Sequence, residues 1–309
     1  MKRKEDNGKK SDHITVCICT YKRPKLLMHL LQAVCQQRTD GVFDYSTVVV
    51  DNDCAESVKD IVLGLKERGP IDIDYFCEVE QNISLARNKA IEKSRSDLVA
   101  FIDDDEFPEE NWLLNLYNAC KEFGADGVLG PVKPHFQVEP PEWIVKGKLF
   151  DRKTFATGST MKDSKEMRTG NVLLCRNVIN EKETAFDPRF GKTGGEDTDF
   201  FKRKLAQGYV FVWCDEAIVY ETIPPERFTR AYFLRRALMR GVVNSRYTSF
   251  ISFSTLKSLM AFVLYTSALP VFLLIGNQLF MRYLIKDCDH IGKLLALCGI
   301  KILKERIWN

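Results

Sequence analysis

Blocks of contiguous apolar residues alternate with apolar residues spaced three and four apart through the first half of the chain. Ile14-Thr15-Val16-Cys17-Ile18-Cys19 reads as a buried strand. After Pro24, a residue suited to a first helical turn, Leu26, Leu27, Leu30, Leu31 and Val34 recur at helical spacing. Thr47 to Val50 is a second strand ending at Asp51, and a helix then runs to about Arg68 before Gly69-Pro70. A weaker strand follows over Ile71 to Val79, a helix over Ser84 to Ser94, a strand over Leu98 to Ile102 and a helix over Glu109 to Phe123. Such alternation predicts an α/β fold with a mostly parallel sheet covered by helices. From Gly130 to Thr169 the pattern breaks at Pro131, Pro134, Pro140 and Pro141, which predicts a long irregular stretch. It resumes with a strand at Thr169 to Cys175, a helix at Glu196 to Gln207 and a strand at Tyr209 to Trp213. Pro224-Pro225 marks a boundary, and Phe228 to Val243 reads as a basic helix.

Ligands of such sheets gather at the carboxyl ends of the strands. Thr20-Tyr21, Asp51 and Asp103-Asp104-Asp105 all fall there. Three adjacent carboxylates repel one another, so their burial needs a cation or many donors. Hard divalent ions take oxygen ligands and share them with phosphates. On an extended segment Asp103 and Asp105 point one way and Asp104 the other. The plain alternative is a solvated acidic turn ahead of a helix. Gly194-Gly195-Glu196-Asp197 is the second station. Paired glycines admit a ligand to the backbone, and Asp197, Glu196 or Asp199 has the chemistry of a base for a hydroxyl. Spacing does not rank the three, and helix capping explains them equally well. Asn82 to Asn88 offers a capped helix and Arg87 for a phosphate, and Trp143 is a candidate for stacking on a sugar or for simple burial.

Composition changes the picture at one point. The net charge is only +3, but residues 222–309 carry 13 Lys and Arg against 4 Asp and Glu, while the preceding residues carry 32 against 38. A basic tail on an acidic body predicts an anionic partner: a membrane surface, a lipid phosphate or nucleic acid. The ten cysteines show no C-x-x-C, and several lie inside apolar runs, which favours reduced thiols in a cytosolic compartment. Residues 1–12 are polar and lysine-rich and read as a flexible leader without a secretory signal.

Taken in order, Cys19 to Pro24, Val48 to Asp53, Asn82 to Asn88, Phe101 to Glu106, Thr169-Gly170-Asn171 and Gly194 to Asp199 resemble family 2 glycosyltransferases of the GT-A fold. Phe186 to Gly191, Trp213 to Glu216 and Tyr220 to Arg227 look most like the bacterial exopolysaccharide glucosyltransferases of the succinoglycan type. The resemblance implies a GT-A domain over 13–225 and a helical, membrane-associated tail over 226–309. It implies an inverting transfer of a hexose, glucose first, from a UDP-sugar to a lipid-diphosphate-linked saccharide. That chemistry would sit at the cytoplasmic face of the inner membrane, without nucleic acid. Thr20, Tyr21, Arg23, Asp51, Asn82, Arg87, Asp103, Asp104, Gly170 and Asn171 would bind the donor, Asp105 with Asp103 would hold Mg²⁺ or Mn²⁺, and Asp197 with Glu196 would serve as base. Trp143, Gly194, Gly195, Arg235 and Arg236 would meet the acceptor. Two departures stand out: Asp51-Asn52-Asp53 replaces paired aspartates, and Glu221 stands where many relatives have a histidine able to join the metal. The rival readings are a metal-dependent phosphohydrolase or nucleotidyltransferase, and a non-catalytic sugar-binding scaffold.

The tail holds a 24-residue stretch without charge, Ser258 to Met281, interrupted by Pro270 and Gly276. Roughly 20 apolar residues span a bilayer. Basic residues on both flanks disfavour a simple crossing, so the expectation is an interfacial hairpin bent at Pro270. Ile291, Leu294, Leu295, Cys298 and Ile302 would continue as an amphipathic helix. A helix pair buried against the catalytic domain is the plain alternative.

Overall fold

The computed structural model describes residues 11–179 and 184–300. In chain order the first elements are β1 (Asp12–Thr20), α1 (Pro24–Val34), β2 (Phe43–Asp51), α2 (Lys59–Arg68), β3 (Ile73–Cys77), α3 (Ile83–Lys93), β4 (Leu98–Asp103), β5 (Glu106–Pro108), α4 (Trp112–Phe123), β6 (Gly127–Leu129), β7 (Val132–Phe136) and α5 (Glu142–Gly147). Then come β8 (Asn171–Cys175), α6 (Pro188–Gly191), α7 (Glu196–Ala206), β9 (Phe211–Trp213), β10 (Val219–Ile223), α8 (Arg230–Ser245), α9 (Phe253–Ile275) and α10 (Asn277–Leu297). Of the leader expected over 1–12, Asp12 already opens β1, and residues 1–10 lie outside the described residues.

Seven strands form one sheet in the order β3-β2-β1-β4-β8-β6-β9. Parallel pairing joins β3, β2, β1 and β4, as the alternating pattern predicts. β8 runs antiparallel to both β4 and β6, so the sheet is mixed. Alternate residues of each central strand feed two cores. Ile14, Val16, Ile18, Ala100 and Ile102 pack with Leu27, Leu30, Leu31 and Trp112. Cys17, Val48, Val50, Val99 and Phe101 pack with Ala86, Ala90, Phe186 and Phe200 on the opposite face. The period of two along a strand thus makes three layers, helix on sheet on helix. β1 and β4 are apolar on both faces because both faces are covered. Their carboxyl ends lie side by side: Cys19 is in register with Asp103, and Thr20 with Asp51.

The chain divides into two compact units. One takes residues up to Lys133, Arg152–Lys192 and Glu196–Glu221. The other takes Pro134–Asp151, Thr193–Gly195 and residues from Thr222 onward. The stretch expected to be irregular is partly regular, holding β7, α5 and a turn of 3₁₀ helix at Ser164–Glu166. In the second unit Ile144, Phe150, Ile223 and Phe233 form a small core with Trp143, Phe136, Phe228 and Tyr232 around it.

The tail corrects one expectation. α9 runs through Pro270 without reversing, and the chain turns back at Gly276, whose φ of 158° and ψ of 151° suit glycine alone. α9 and α10 then lie antiparallel. The rings of Phe272 and Tyr283 stack at 4.1 Å, Thr266 donates to Asp287 at 2.9 Å, and Lys293 donates to Ser254 Oγ at 2.8 Å. α9 is long and apolar enough to cross a membrane by length and composition, and little of it is buried. Of the amphipathic stripe expected on α10, Ile291, Leu294 and Leu295 are half-buried, Cys298 is exposed just past the helix end, and Ile302 lies outside the described residues.

Candidate active site

The strand ends hold an acidic turn in which each carboxylate has different work. β4 ends at Asp103, the chain turns through Asp104 and Asp105, and β5 begins at Glu106. The segment is a turn, not an extended run, yet Asp104 still parts company with its neighbours. Asp104 is buried and accepts from Thr20 Oγ1 at 2.8 Å and from Arg23 Nη1 at 2.8 Å. Burial pushes its carboxyl up to about 6, against the pull of Arg23. Asp104 and Thr20 therefore fasten the loop after β1 to the loop after β4, which differs from the direct donor contact expected of them. Arg23 also reaches Asp105 Oδ2 at 3.3 Å. Tyr21 is half-buried beside this loop, with Lys22 Nζ 5.0 Å from its ring centroid.

Arg87 organises the other side. It sits on α3, which Asn82 caps by accepting from Ser84 and Leu85 amides. The buried guanidinium donates from Nη1 to Glu196 Oε1 at 2.8 Å and to Asp197 Oδ1 at 2.7 Å, and from Nη2 to Asp103 Oδ1 at 3.3 Å. Burial works against the charge of Arg87, and Asp197, Glu196 and Asp103 more than restore it. Asp197 Oδ1 also accepts from Thr169 Oγ1 at 2.8 Å. Both bonds fall on one oxygen, which leaves Oδ2 for a substrate proton. The three carboxylates that spacing left unranked are now distinct. Glu196 is buried against Arg87, Asp199 pairs with Arg203 one turn on, and Asp197 is partly exposed. Arg87, expected to meet a phosphate, ties this helix start to Asp103.

Several expected ligands are spent inside the fold. Asp51 is fully buried, and its carboxylate accepts from the amides of Asp53 and Val58 and from Tyr75. Asn82 caps α3 and donates to Pro188 O at 3.0 Å. Asn171 is a buried hub that donates to Pro131 O and Ala217 O and accepts from Trp112 Nε1 at 2.8 Å. Trp143 is half-buried and meets Phe233 edge to face at 5.7 Å. Gly170 stands where a Cβ would come within 2.8 Å of Glu106 Oε1 and 3.1 Å of Asp103 Oδ2, so the carboxylates require its bareness. In the second unit a Cβ on Gly195 would strike Val243 Cγ1 at 2.6 Å, and Arg246 donates to Gly194 O at 2.6 Å. Packing against α8 thus accounts for Gly195, and a φ of 76° accounts for Gly194. Arg235 and Arg236 are exposed on α8, Arg236 donating to Tyr232 Oη.

Asp53 was not singled out by spacing. Its Oδ2 is buried without a hydrogen-bond partner, two residues beyond the end of β2. Such an orphan acceptor points to a ligand donor. Thr169, which orients Asp197, and Arg152, which pairs with Glu221, were also missed.

Among the described residues no three His, Cys, Asp or Glu side chains are arranged to hold a metal by themselves. Asp103 and Asp105 supply hard carboxylate oxygens at one turn, which suits a divalent ion that takes its remaining ligands from a substrate diphosphate. The residues present fit such an ion in that shared mode.

Similarity to known proteins runs through most of the chain. The family model described as glycosyl transferase family 2 matches residues 15–182. The succinoglycan biosynthesis protein ExoM of Rhizobium meliloti (strain 1021) is 34% identical over 238 residues, covering 76% of this chain and 74% of that protein. Chondroitin synthase of Escherichia coli is 25% identical over 69% of this chain, which spans only 35% of that protein. The crystal structure of S. aureus TarS 1-349 in complex with UDP superimposes with a TM-score of 0.54 at 15% identity, covering 94% of this chain and 93% of that one.

Proposed function

This chain belongs to glycosyl transferase family 2, and we propose that it moves a hexose, glucose in the first instance, from a UDP-sugar to a saccharide acceptor in exopolysaccharide synthesis. It is a glycosyltransferase with a GT-A fold, so the phosphohydrolase, nucleotidyltransferase and non-catalytic scaffold readings are set aside. The likeness to ExoM supports the exopolysaccharide role, and the likeness to a TarS structure that binds UDP supports the donor class.

The observation that carries the reading is the Arg87 junction, which joins Asp197 to the donor-side Asp103 through one guanidinium. In the proposed reaction Asp197 Oδ2 accepts the proton of the acceptor hydroxyl as that oxygen attacks the anomeric carbon. The bond from that carbon to the diphosphate oxygen breaks on the opposite face, its electron pair leaves with UDP, and configuration inverts. Thr169 and Arg87 hold Oδ1, so the proton-accepting oxygen is fixed in orientation. Arg87 also sets its positive charge beside the carboxylate that is to take the proton. Asp53 Oδ2 offers the uracil an acceptor, a role expected of Asp51. Asp103 and Asp105 would hold Mg²⁺ or Mn²⁺ with the diphosphate, and that ion would offset charge on the leaving group.

The acceptor reading adds a lipid diphosphate at the cytoplasmic membrane face. Its support is the exposed apolar surface of α9, with Leu264, Leu274 and Ile275 among its residues, together with the basic composition of the tail. The α9–α10 hairpin would seat in the interface as a monotopic anchor. The test is release of UDP from UDP-glucose, UDP-galactose and UDP-GlcNAc, each with and without extracted lipid-linked saccharides. Acceptor-stimulated release from UDP-glucose is expected. Stimulation only with another donor corrects the sugar, and no stimulation with any donor overturns the acceptor.

A further inference from the structure

Glu106 and Glu221 face each other across the antiparallel pair of β5 and β10. Like charges directly opposite on a sheet repel. Asp103 joins them, since its carboxylate and that of Glu106 both crowd the open side of Gly170. Glu106 is buried, so solvent does little to relieve the repulsion. Two guanidiniums adjoin this trio: Arg87, which donates to Asp103, and Arg152, whose Nη2 donates to Glu221 Oε2. The Arg152 side chain is 26% exposed and that of Glu221 13%. Both Glu106 and Asp103 add to the field that favours the charged Arg152. A guanidinium does not release its proton in a protein, so it can cancel this charge only by staying and restore it only by moving.

Arg152 lies in the stretch between α5 and the 3₁₀ turn at Ser164–Glu166, outside any helix or strand, while Asp103 ends β4, Glu106 opens β5 and Glu221 sits within β10. A planar guanidinium also matches a diphosphate as well as it matches a carboxylate. We propose that Arg152 is a built-in counter-cation that occupies Glu221 while the donor is absent and passes to the donor's diphosphate when a divalent ion takes over the carboxylates. Ion binding and donor binding are then coupled through one side chain. An ion on Asp103 and Asp105 brings its charge up against Arg152, whereas the ion with a diphosphate gives Arg152 somewhere to go. Coupling of this kind is reciprocal. The proposal rests on reading Asp103 and Asp105 as the ion's ligands.

The experiment is calorimetric titration of Mn²⁺ into the full chain, alone and with saturating UDP, and of UDP in saturating Mn²⁺. The variants are Arg152→Met, which keeps the aliphatic stem, Arg152→Lys and Asp105→Asn. Arg152→Met should bind Mn²⁺ alone about tenfold more tightly than wild type, the scale of one ion pair no longer competing. It should bind UDP more weakly in Mn²⁺. Arg152→Lys keeps the counter-charge and so the fold, but lacks the fork. It should match wild type for Mn²⁺ alone and lose affinity for UDP. Unchanged or weaker Mn²⁺ binding by Arg152→Met, or wild-type UDP affinity in Arg152→Lys, overturns the coupling. Asp105→Asn separates the two failures. If Mn²⁺-dependent UDP binding is absent from wild type or survives Asp105→Asn, the ion assignment falls and the coupling with it.

Discussion

Arg87 decides what the acidic residues of this site become. One buried guanidinium satisfies Glu196, Asp197 and Asp103, and its loss leaves three carboxylates facing one another. Arg87→Ala should destabilise the protein by about 3–5 kcal/mol, the cost of breaking a buried ion pair from one side. Arg87→Lys should recover much of that stability without the transfer rate, since an ammonium cannot span three partners in fixed geometry. Urea melts paired with rate measurements check both, and full activity in Arg87→Lys would contradict the positioning role. Asn171 makes the opposite case. Its amide holds Pro131 O, Ala217 O and Trp112 Nε1, so Asn171→Ala should cost about 2–3 kcal/mol through orphaned partners. UDP affinity in the folded fraction should stay near wild type, and a selective loss of UDP binding would restore the ligand role. The strand-end positions of Asp51 and Asp103 to Asp105 were legible from apolar runs that stop at polar residues, whereas Asn171 opens β8 and was named through the family resemblance alone. Whether each polar group faces a ligand or closes a loop was not, because that depends on contacts such as Thr20 with Asp104, 84 residues away in sequence. Asp53, seen only as part of the departure at Asp51-Asn52-Asp53, received no role for the same reason.

The elements follow the hydrophobic period closely where both faces of a strand or one face of a helix are covered. α1 buries Leu27, Leu30, Leu31 and Val34, four of the five residues that the spacing named. The antiparallel insertion of β8 between β4 and β6 was not legible, since an apolar run carries no direction. The tail reversal was placed at Pro270 because proline usually ends a helix. An apolar helix tolerates proline when its freed carbonyl finds other partners, and the structure turns at Gly276 instead. Pro270→Leu should therefore leave the hairpin intact and raise the melting temperature, as a helix-interior proline costs up to about 3 kcal/mol. Gly276→Leu should lower stability by about 1–3 kcal/mol because the backbone there excludes side chains. Thermal melts in detergent decide the matter. Equal tolerance at both positions would return the bend to Pro270.

At the scale of the whole molecule, charge and apolar exposure concentrate in the same part of the chain. The tail is basic, and α9 shows Leu264 at 66% and Leu274 at 89% exposure. Neither side chain is held in a core, so Leu264→Asp with Leu274→Asp should leave the fold unchanged. Each substitution replaces apolar area that an interfacial helix would bury with a charge of the same sign as anionic headgroups. The double variant should therefore shift from anionic vesicles to the soluble fraction in a flotation assay, while UDP binding persists. A wild-type protein that is soluble without detergent and ignores such vesicles would contradict the membrane reading. Composition made the basic tail legible, but which helix shows its apolar side required the pairing of α9 with α10.

All three scales meet in the transfer step, and Asp197→Asn tests it most directly. The substitution keeps the shape and the bonds from Arg87 and Thr169 while removing the proton acceptor. Acceptor-dependent UDP release should fall by about 10²–10⁴-fold at saturating donor, the scale of a lost general base, with UDP-glucose affinity little changed. Collapse of donor binding with undiminished turnover of the donor that still binds would contradict it, making Asp197 a donor ligand and placing the base elsewhere.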